Sequence, residues 1–184
     1  GFVMANFVER MVGAARLSVP IYEEIEADTE YTIPALGVVV LAAIATGIGG
    51  AHLGTQGFFL LLVSSLFGWV FWAFMTWIIG TKFLAAPETK SDMGELLRTM
   101  GFAQSPGILR CLGIVPVVGR FVDFAIWIWL LVAMVVAVRQ ALDYKSTGRA
   151  VAVCVIGWVI NAAIWLFALS IIGIGGFAAS GGGP

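Results

Sequence analysis

The chain has 184 residues, 60% of them hydrophobic and only 11% charged, where a soluble domain is about half apolar and about a quarter charged. So much apolar surface exceeds what one small core can bury, and lipid is the expected solvent for the rest. The formal net charge of −1 excludes nucleic-acid binding by bulk charge.

The N-terminus has no charged start leading into an apolar run and a small-residue cleavage site, so no signal peptide is expected. Met4 is a candidate native start, with Gly1 to Val3 ahead of it. Over residues 4–17, Met4, Phe7, Val8, Met11 and Ala15 recur at helical spacing, with Glu9, Arg10 and Arg16 elsewhere. This predicts an amphipathic helix, lying either in the membrane interface or against the protein's own cytoplasmic side. In "SVPIYEEIEAD", Ser18 is a candidate N-cap and Pro20 suits the first turn. A short helix with Tyr22 and Ile25 facing inward is expected. Residues 1–30 thus form an N-terminal unit of amphipathic helices. Glu23, Glu24, Glu26, Asp28 and Glu30 give it a solvated, helix-capping acidic face, with a divalent cation or a basic partner as the alternative.

A membrane domain is expected from residue 31 to residue 173. Its first run, "IPALGVVVLAAIATGIGG" at 33–50, carries no charge, with Thr29 and Thr32 as candidate caps. At about 1.5 Å per residue it nearly spans a hydrocarbon core about 30 Å thick. The link "AHLGTQG" leads to a second run, 57–84, which is longer than a span needs and holds Trp69, Trp72 and Trp77. Its hydroxyls, Ser64, Ser65 and Thr76, can bond to carbonyls of their own helix. In "APETKSDMGELLRTMG" the stripe Met93, Leu96, Leu97, Met100 and the capping pair Asp92 and Glu95 predict a short amphipathic helix on one side of the membrane. Then comes an apolar stretch, 105–119, bracketed by Pro106 and Pro116 with Arg110 inside it. Further spans are expected at 121–138 and 150–172, and a glycine-rich tail, 174–184, that frays.

Whether 105–119 crosses sets the topology downstream. If it crosses, Arg10, Arg16, Lys82, Lys90, Arg98, Arg110, Arg139, Lys145 and Arg149 can all face the cytoplasm and only Arg120 faces out. If it does not, Arg139, Lys145 and Arg149 move outside. The positive-inside bias favours crossing. The expectation is an all-α, polytopic integral membrane protein with five transmembrane helices, the third one short. Its N-terminus is cytoplasmic and its C-terminus outside.

Three stretches resemble a known family. "ARLSVPIYEEIEADTEYTIPALGVVVLAAIATGIG" is similar to the N-terminal portion of bacterial members of the Yip family, the Ypt/Rab-interacting membrane proteins. "GFAQSPGILRCLGIVPVVG" resembles the family's proline-containing short third span. "AIWIWLLVAMVVAVRQALDYKSTGRAVAVCVIGWVI" resembles its last two spans with their basic link. The resemblance covers most of residues 5–172. It implies five spans, a cytoplasmic N-terminus and, for a bacterial member, the bacterial cytoplasmic membrane. Eukaryotic members act in vesicle traffic and bind small GTPases. Their long hydrophilic N-terminal region and tyrosine-glycine-proline motif have no counterpart in these 184 residues. No catalytic residues carry over.

Little in the chain suggests catalysis. Cys111 and Cys154 lie inside apolar runs with no CxxC or zinc-type spacing. No HExxH, P-loop, GxSxG or intramembrane carboxylate pair occurs. His52 in the link after the first span is a candidate ligand for a haem or chlorophyll-type pigment, or else a solvated interface residue. The intramembrane polar candidates are Arg110, Arg120, Asp123 and Asn161. Arg110 is placed in the inner third, within snorkelling reach of the inner headgroups. Arg120 and Asp123, three apart, can pair. Asn161 reads as interhelical glue worth roughly 0.6–2 kcal/mol, with Gly157 a notch beside it; a substrate or ion path and a subunit contact are the alternatives. Tryptophans at 69, 72, 127, 129, 158 and 165 are not confined to the interfaces, which suggests aromatic packing or a lipid- or protein-facing surface. No cofactor, metal or nucleic acid is expected. The expected partners are the lipid bilayer and other proteins in a membrane complex or a homo-oligomer. The function read from this is a non-enzymatic scaffold or accessory subunit. The alternatives are a small oligomeric channel or transporter, or a lipid- or pigment-binding subunit.

Overall fold

The computed structural model describes residues 2–49, 54–114 and 118–180, and His52 and Pro116 lie outside them. Among the described residues all regular structure is helical: α1 (Phe2–Ala15), α2 (Val19–Ala27), a 3-10 turn (Thr29–Tyr31), α3 (Thr32–Gly49), α4 (Gly54–Ile78) running into a π-turn (Ile79–Phe83), α5 (Met93–Phe102), a 3-10 helix (Ser105–Ile114), α6 (Val118–Ala141) and α7 (Thr147–Ser180). Among the described residues, four helical stretches are long and apolar enough to cross a membrane: Thr29–Ile48, Gly54–Phe83, Gly119–Ala141 and Thr147–Ile164. The proline-flanked segment, expected as a short α-helical span, is instead the ten-residue 3-10 helix.

The first two helices form a hairpin. α1 closes in a Schellman motif, with Ser18 N bonded to Gly13 O at 3.0 Å and Leu17 N to Ala14 O at 3.0 Å. This forces Leu17 to a φ of 62°, a left-handed conformation that costs a non-glycine residue roughly 1–2 kcal/mol. A side chain at Gly13 would collide with Ile21, its Cβ falling 2.7 Å from Cγ1. Tyr22 and Ile25 are fully buried, as the spacing predicts, and the Tyr22 hydroxyl donates to Ala14 O at 3.2 Å. Ser18 makes no side-chain cap bond. Asp28 caps the following turn instead, accepting from Glu30 N at 2.9 Å.

The hairpin is docked on the protein. Phe7 meets Phe102 edge to face at 6.2 Å. Arg10 pairs with Glu24 and stacks 4.5 Å over the Tyr31 ring. Trp129 of α6 donates to Ala15 O at 2.7 Å. The far side of α1 keeps Val8 and Val12 exposed at 53% and 43%.

α5 is tied to α2 by Arg98, which is only 4% exposed. Its Nε and Nη2 donate to Ile25 O at 3.2 Å and Glu26 O at 2.6 Å. A guanidinium thus satisfies carbonyls in the last turn of α2, where no further helical partner exists and the helix dipole favours a cation. Asp92 and Glu95 form the expected capping box at the start of α5. Yet α5 is not a surface helix: Leu96, Thr99, Met100 and Phe102 are all fully buried.

Contacts along the chain show where α5 and the 3-10 helix lead. Trp77 of α4 donates to Ser91 O at 3.2 Å, and Trp69, two turns earlier in α4, to Leu97 O at 3.2 Å. A Cβ on Gly101 would lie 2.9 Å from Ala35 Cβ near the start of α3, and one on Gly107 3.4 Å from Ala42 Cβ, midway along α3. A Cβ on Gly113 would fall 3.2 Å from Asp123, in the first turns of α6. The chain from 91 to 114 therefore climbs from the end of α4 to the beginning of α6. Its two ten-residue helices contribute about 15 Å and about 20 Å of rise. The sum exceeds a hydrocarbon core of about 30 Å. The sequence expectation placed a short span at 105–119 and α5 on one side of the membrane; in the structure α5 and the 3-10 helix run on from one another along the bundle.

The link between α6 and α7 closes the same end. A second Schellman motif, with Tyr144 N on Arg139 O at 2.9 Å and Asp143 N on Gln140 O at 2.8 Å, holds Asp143 at a φ of 52°. The Tyr144 hydroxyl lies 2.9 and 2.8 Å from the Gly80 and Leu84 carbonyls, which share its proton. The Gly80 carbonyl lies inside the π-turn that ends α4 and the Leu84 carbonyl just after it, where i→i+5 geometry spoils the ordinary helical pairing. Leu142 packs so close to Gly80 that a Cβ there would fall 2.3 Å from Leu142 Cδ1.

Candidate functional site

A cavity of about 360 Å³ lies inside the bundle, walled by α3, α4, α6 and α7 and by the climbing segment. Four of its wall residues are Trp69, Trp72, Trp127 and Trp158. Trp127 and Trp158 stack at 6.3 Å with rings nearly parallel, and at 49% and 42% exposure they form a rim facing outward from the bundle. Trp72 packs against Gly157: a Cβ there would sit 3.2 Å from the indole. The notch read at Gly157 is thus filled by an aromatic ring.

The 3-10 geometry decides what the climbing segment shows the cavity. At three residues per turn, positions three apart stack in one line. Gln104, Gly107 and Arg110 are three apart and all line the cavity. In an α-helix each step of three would rotate the next side chain about 60° out of line. Gly107 lies level with the middle of α3 and of α6, beside Ala42 and Leu130. Arg110 is a turn beyond it, toward the start of α6. Arg110 is half-buried and makes no hydrogen bond or ion pair with any described residue. No Asp or Glu lines the cavity.

The other sequence candidates are not gathered here. Arg120 and Asp123 are exposed at the start of α6. The expected pair between them does not form; Arg10–Glu24 is the ion pair among the described residues. Asp123 instead turns its carboxylate toward Gly113. Asn161 is half-buried on α7, one turn past Gly157, and forms no hydrogen bond with the described residues. His52, the candidate pigment ligand, falls outside the described residues.

A second group of polar residues lies at the opposite end, around the α2 C-terminus. Burial, helped by the nearby carboxylates of Asp143, Glu95 and Glu23, pushes the Glu26 carboxyl from its ordinary 4.5 up to about 8, with Arg98 opposing. Gln140 donates to Glu23 at 3.3 Å. Burial also raises the phenol of Tyr22. Sequence reading missed Arg98 as a connector and the cavity itself. The signal for the latter was the three-residue column Gln104, Gly107, Arg110 beside a tryptophan-rich span.

Against models of known families, residues 20–169 match the Yip1 domain. No curated protein matches the chain, and no solved structure does.

Proposed function

The chain belongs to the Yip1 domain family, and on that premise we propose that it works as a non-enzymatic scaffold or accessory subunit that gathers other membrane components. It is an integral membrane protein, its apolar helices in contact with lipid. The observation that carries the proposal is the cap formed at one end by α1, α2 and the 139–149 link. Bonds across long sequence separations, from Arg98, Trp129 and Tyr144, fasten it to the rest of the bundle. A cap held this firmly presents a fixed surface. Val8, Val12 and Val19 are exposed on it, as are the acids Glu9, Glu23 and Glu30. Its complement is a basic, amphipathic segment of another membrane-associated protein. Purification from the native host in mild detergent, with quantitative mass spectrometry, tests this. The proposal expects a stoichiometric partner that is lost from a Glu9→Lys, Glu23→Lys, Glu30→Lys variant. A wild-type protein that runs alone removes it.

The same reading has five passages, with α5 and the 3-10 helix together as the third. The ladder of contacts from Ser91 to Gly113 supports it. So does the gathering of Lys82, Lys90, Arg98, Arg139, Lys145 and Arg149 toward the cap, which the positive-inside bias puts in the cytoplasm. In this reading the membrane is the bacterial cytoplasmic one, with the N-terminus inside. Single cysteines at Lys90 and Arg120, in a background with Cys111 and Cys154 replaced by serine, should be labelled from opposite faces of sealed vesicles. Labelling from one face overturns the five-passage topology.

A further inference from the structure

We propose that the tryptophan-walled cavity is a binding site for one anionic lipid, its phosphate on Arg110 and an acyl chain between the indoles. The inference does not depend on the scaffold reading.

The first argument is charge. Arg110 brings five N–H donors and a permanent positive charge to an intramembrane cavity, and no described residue pairs with it. The neighbouring wall group from the same column, Gln104, is neutral. An uncompensated cation among spanning helices is costly, so the counter-charge has to come from a ligand. A guanidinium is matched in shape to phosphate and carboxylate oxygens.

The second argument is shape and access. Besides Arg110 and Gln104 the wall holds Thr46 and Ser65 among aromatic and apolar residues, and its volume of about 360 Å³ falls in the roughly 300–1,000 Å³ range of ligand sites. The stacked rim of Trp127 and Trp158 faces outward between α6 and α7, so a ligand enters sideways from the bilayer. A free anion in water has no such route, whereas a lipid is already there.

The third argument is Gly68. It lines the cavity from the middle of α4, and a Cβ built on it meets nothing within 4 Å. Glycine inside a helix costs about 1 kcal/mol relative to alanine. Here no helix contact requires it, and its effect is to leave room for a guest.

The test uses the purified full-length protein, stripped of lipid. Tryptophan quenching by phosphatidylglycerol with brominated chains is compared with quenching by phosphatidylcholine carrying the same chains. Native mass spectrometry gives the stoichiometry, and inorganic phosphate is the competitor. The proposal expects one phosphatidylglycerol per chain, bound about tenfold or more tighter than phosphatidylcholine, the scale of one charge-assisted contact. Inorganic phosphate should not displace it. Arg110→Gln should erase the preference, and Arg110→Lys should keep part of it. Gly68→Leu should fill the space and abolish saturable quenching by both lipids, with helicity and melting unchanged. Equal binding of the two lipids, an unaltered Arg110→Gln variant, an unaltered Gly68→Leu variant, or displacement by phosphate each overturns the lipid site.

Discussion

Arg98 and Arg110 lie on the same climbing segment, twelve positions apart in number, and their surroundings have nothing in common. Arg98 is buried with both ends of its guanidinium on α2 carbonyls. Arg110 faces a cavity and bonds to no described residue. The contrast extends to the two halves of the molecule around them. The cap half is built like a water-soluble core, with Tyr22, Leu96, Met100 and Phe102 fully buried and each turn closed by a named hydrogen bond. The other half rests on close approach of small residues, such as Gly47, whose Cβ would lie 2.4 Å from the Phe58 ring. In lipid the hydrophobic drive between helices is absent and van der Waals fit does that work. Where α1, α2 and the links meet water, burial and hydrogen bonding take over again.

The sharpest way to break this comparison is the same substitution at both arginines. Arg98→Ala strips two charge-assisted bonds from the end of α2 and is expected to cost about 3 kcal/mol, read as a lower melting temperature in detergent. Arg110→Ala, in lipid-free detergent, is expected to leave melting no lower than wild type, since no protein bond is lost and an uncompensated charge is removed. Equal losses at the two sites would erase the distinction. Next in size is Gly80→Ala, which drives a methyl group into Leu142 and should cost about 2 kcal/mol, loosening the clamp between the α4 end and the last two helices. Chemical denaturation of that variant should show the loss.

pH sharpens the contrast further, because the cap half holds the displaced carboxyl. Glu26 binds its proton more tightly folded, at about 8, than at the ordinary 4.5. Its contribution is fully present below about pH 4.5 and fades as pH rises through about 8. Melting should therefore fall by several degrees between pH 5.5 and pH 8.5, and Glu26→Gln should flatten the slope. An equally steep slope in that variant would assign it to other groups. The smallest expected effect is at Asp143: glycine there relieves the left-handed backbone and removes a negative neighbour of Glu26. A gain of about 0.5–1 kcal/mol is expected, measured by the same melts.

The spans were legible in the sequence because each is a long apolar run whose length alone answers to the bilayer. The capping box at Asp92 and Glu95 and the inward faces of Tyr22 and Ile25 were legible because they are local, three residues or one turn apart. What escaped notice is what joins distant positions. Nothing near Arg98 in sequence points to Ile25 and Glu26, more than seventy residues away. Helix α5 read as a surface element because its polar start resembles one, while the wall that buries it comes from α2, α3 and α4. The stretch 105–119 read as a short α-helix because it is one apolar run of fifteen residues, whereas its described part is an over-wound 3-10 helix that rises faster per residue and continues from α5. The cavity was out of reach for the same reason as Arg98, since its tryptophans come from α4, α6 and α7 and meet only in three dimensions.

The clamp of Tyr144 on the π-turn carries a consequence for how the molecule is made. The hydroxyl and the Gly80 carbonyl it binds are 64 positions apart. During synthesis, α4 must be delivered, and the chain through α6 made, before its own end can be fastened. Until then the loosened turn awaits a partner still inside the ribosome, and the last helical hairpin arrives as the latch that completes assembly.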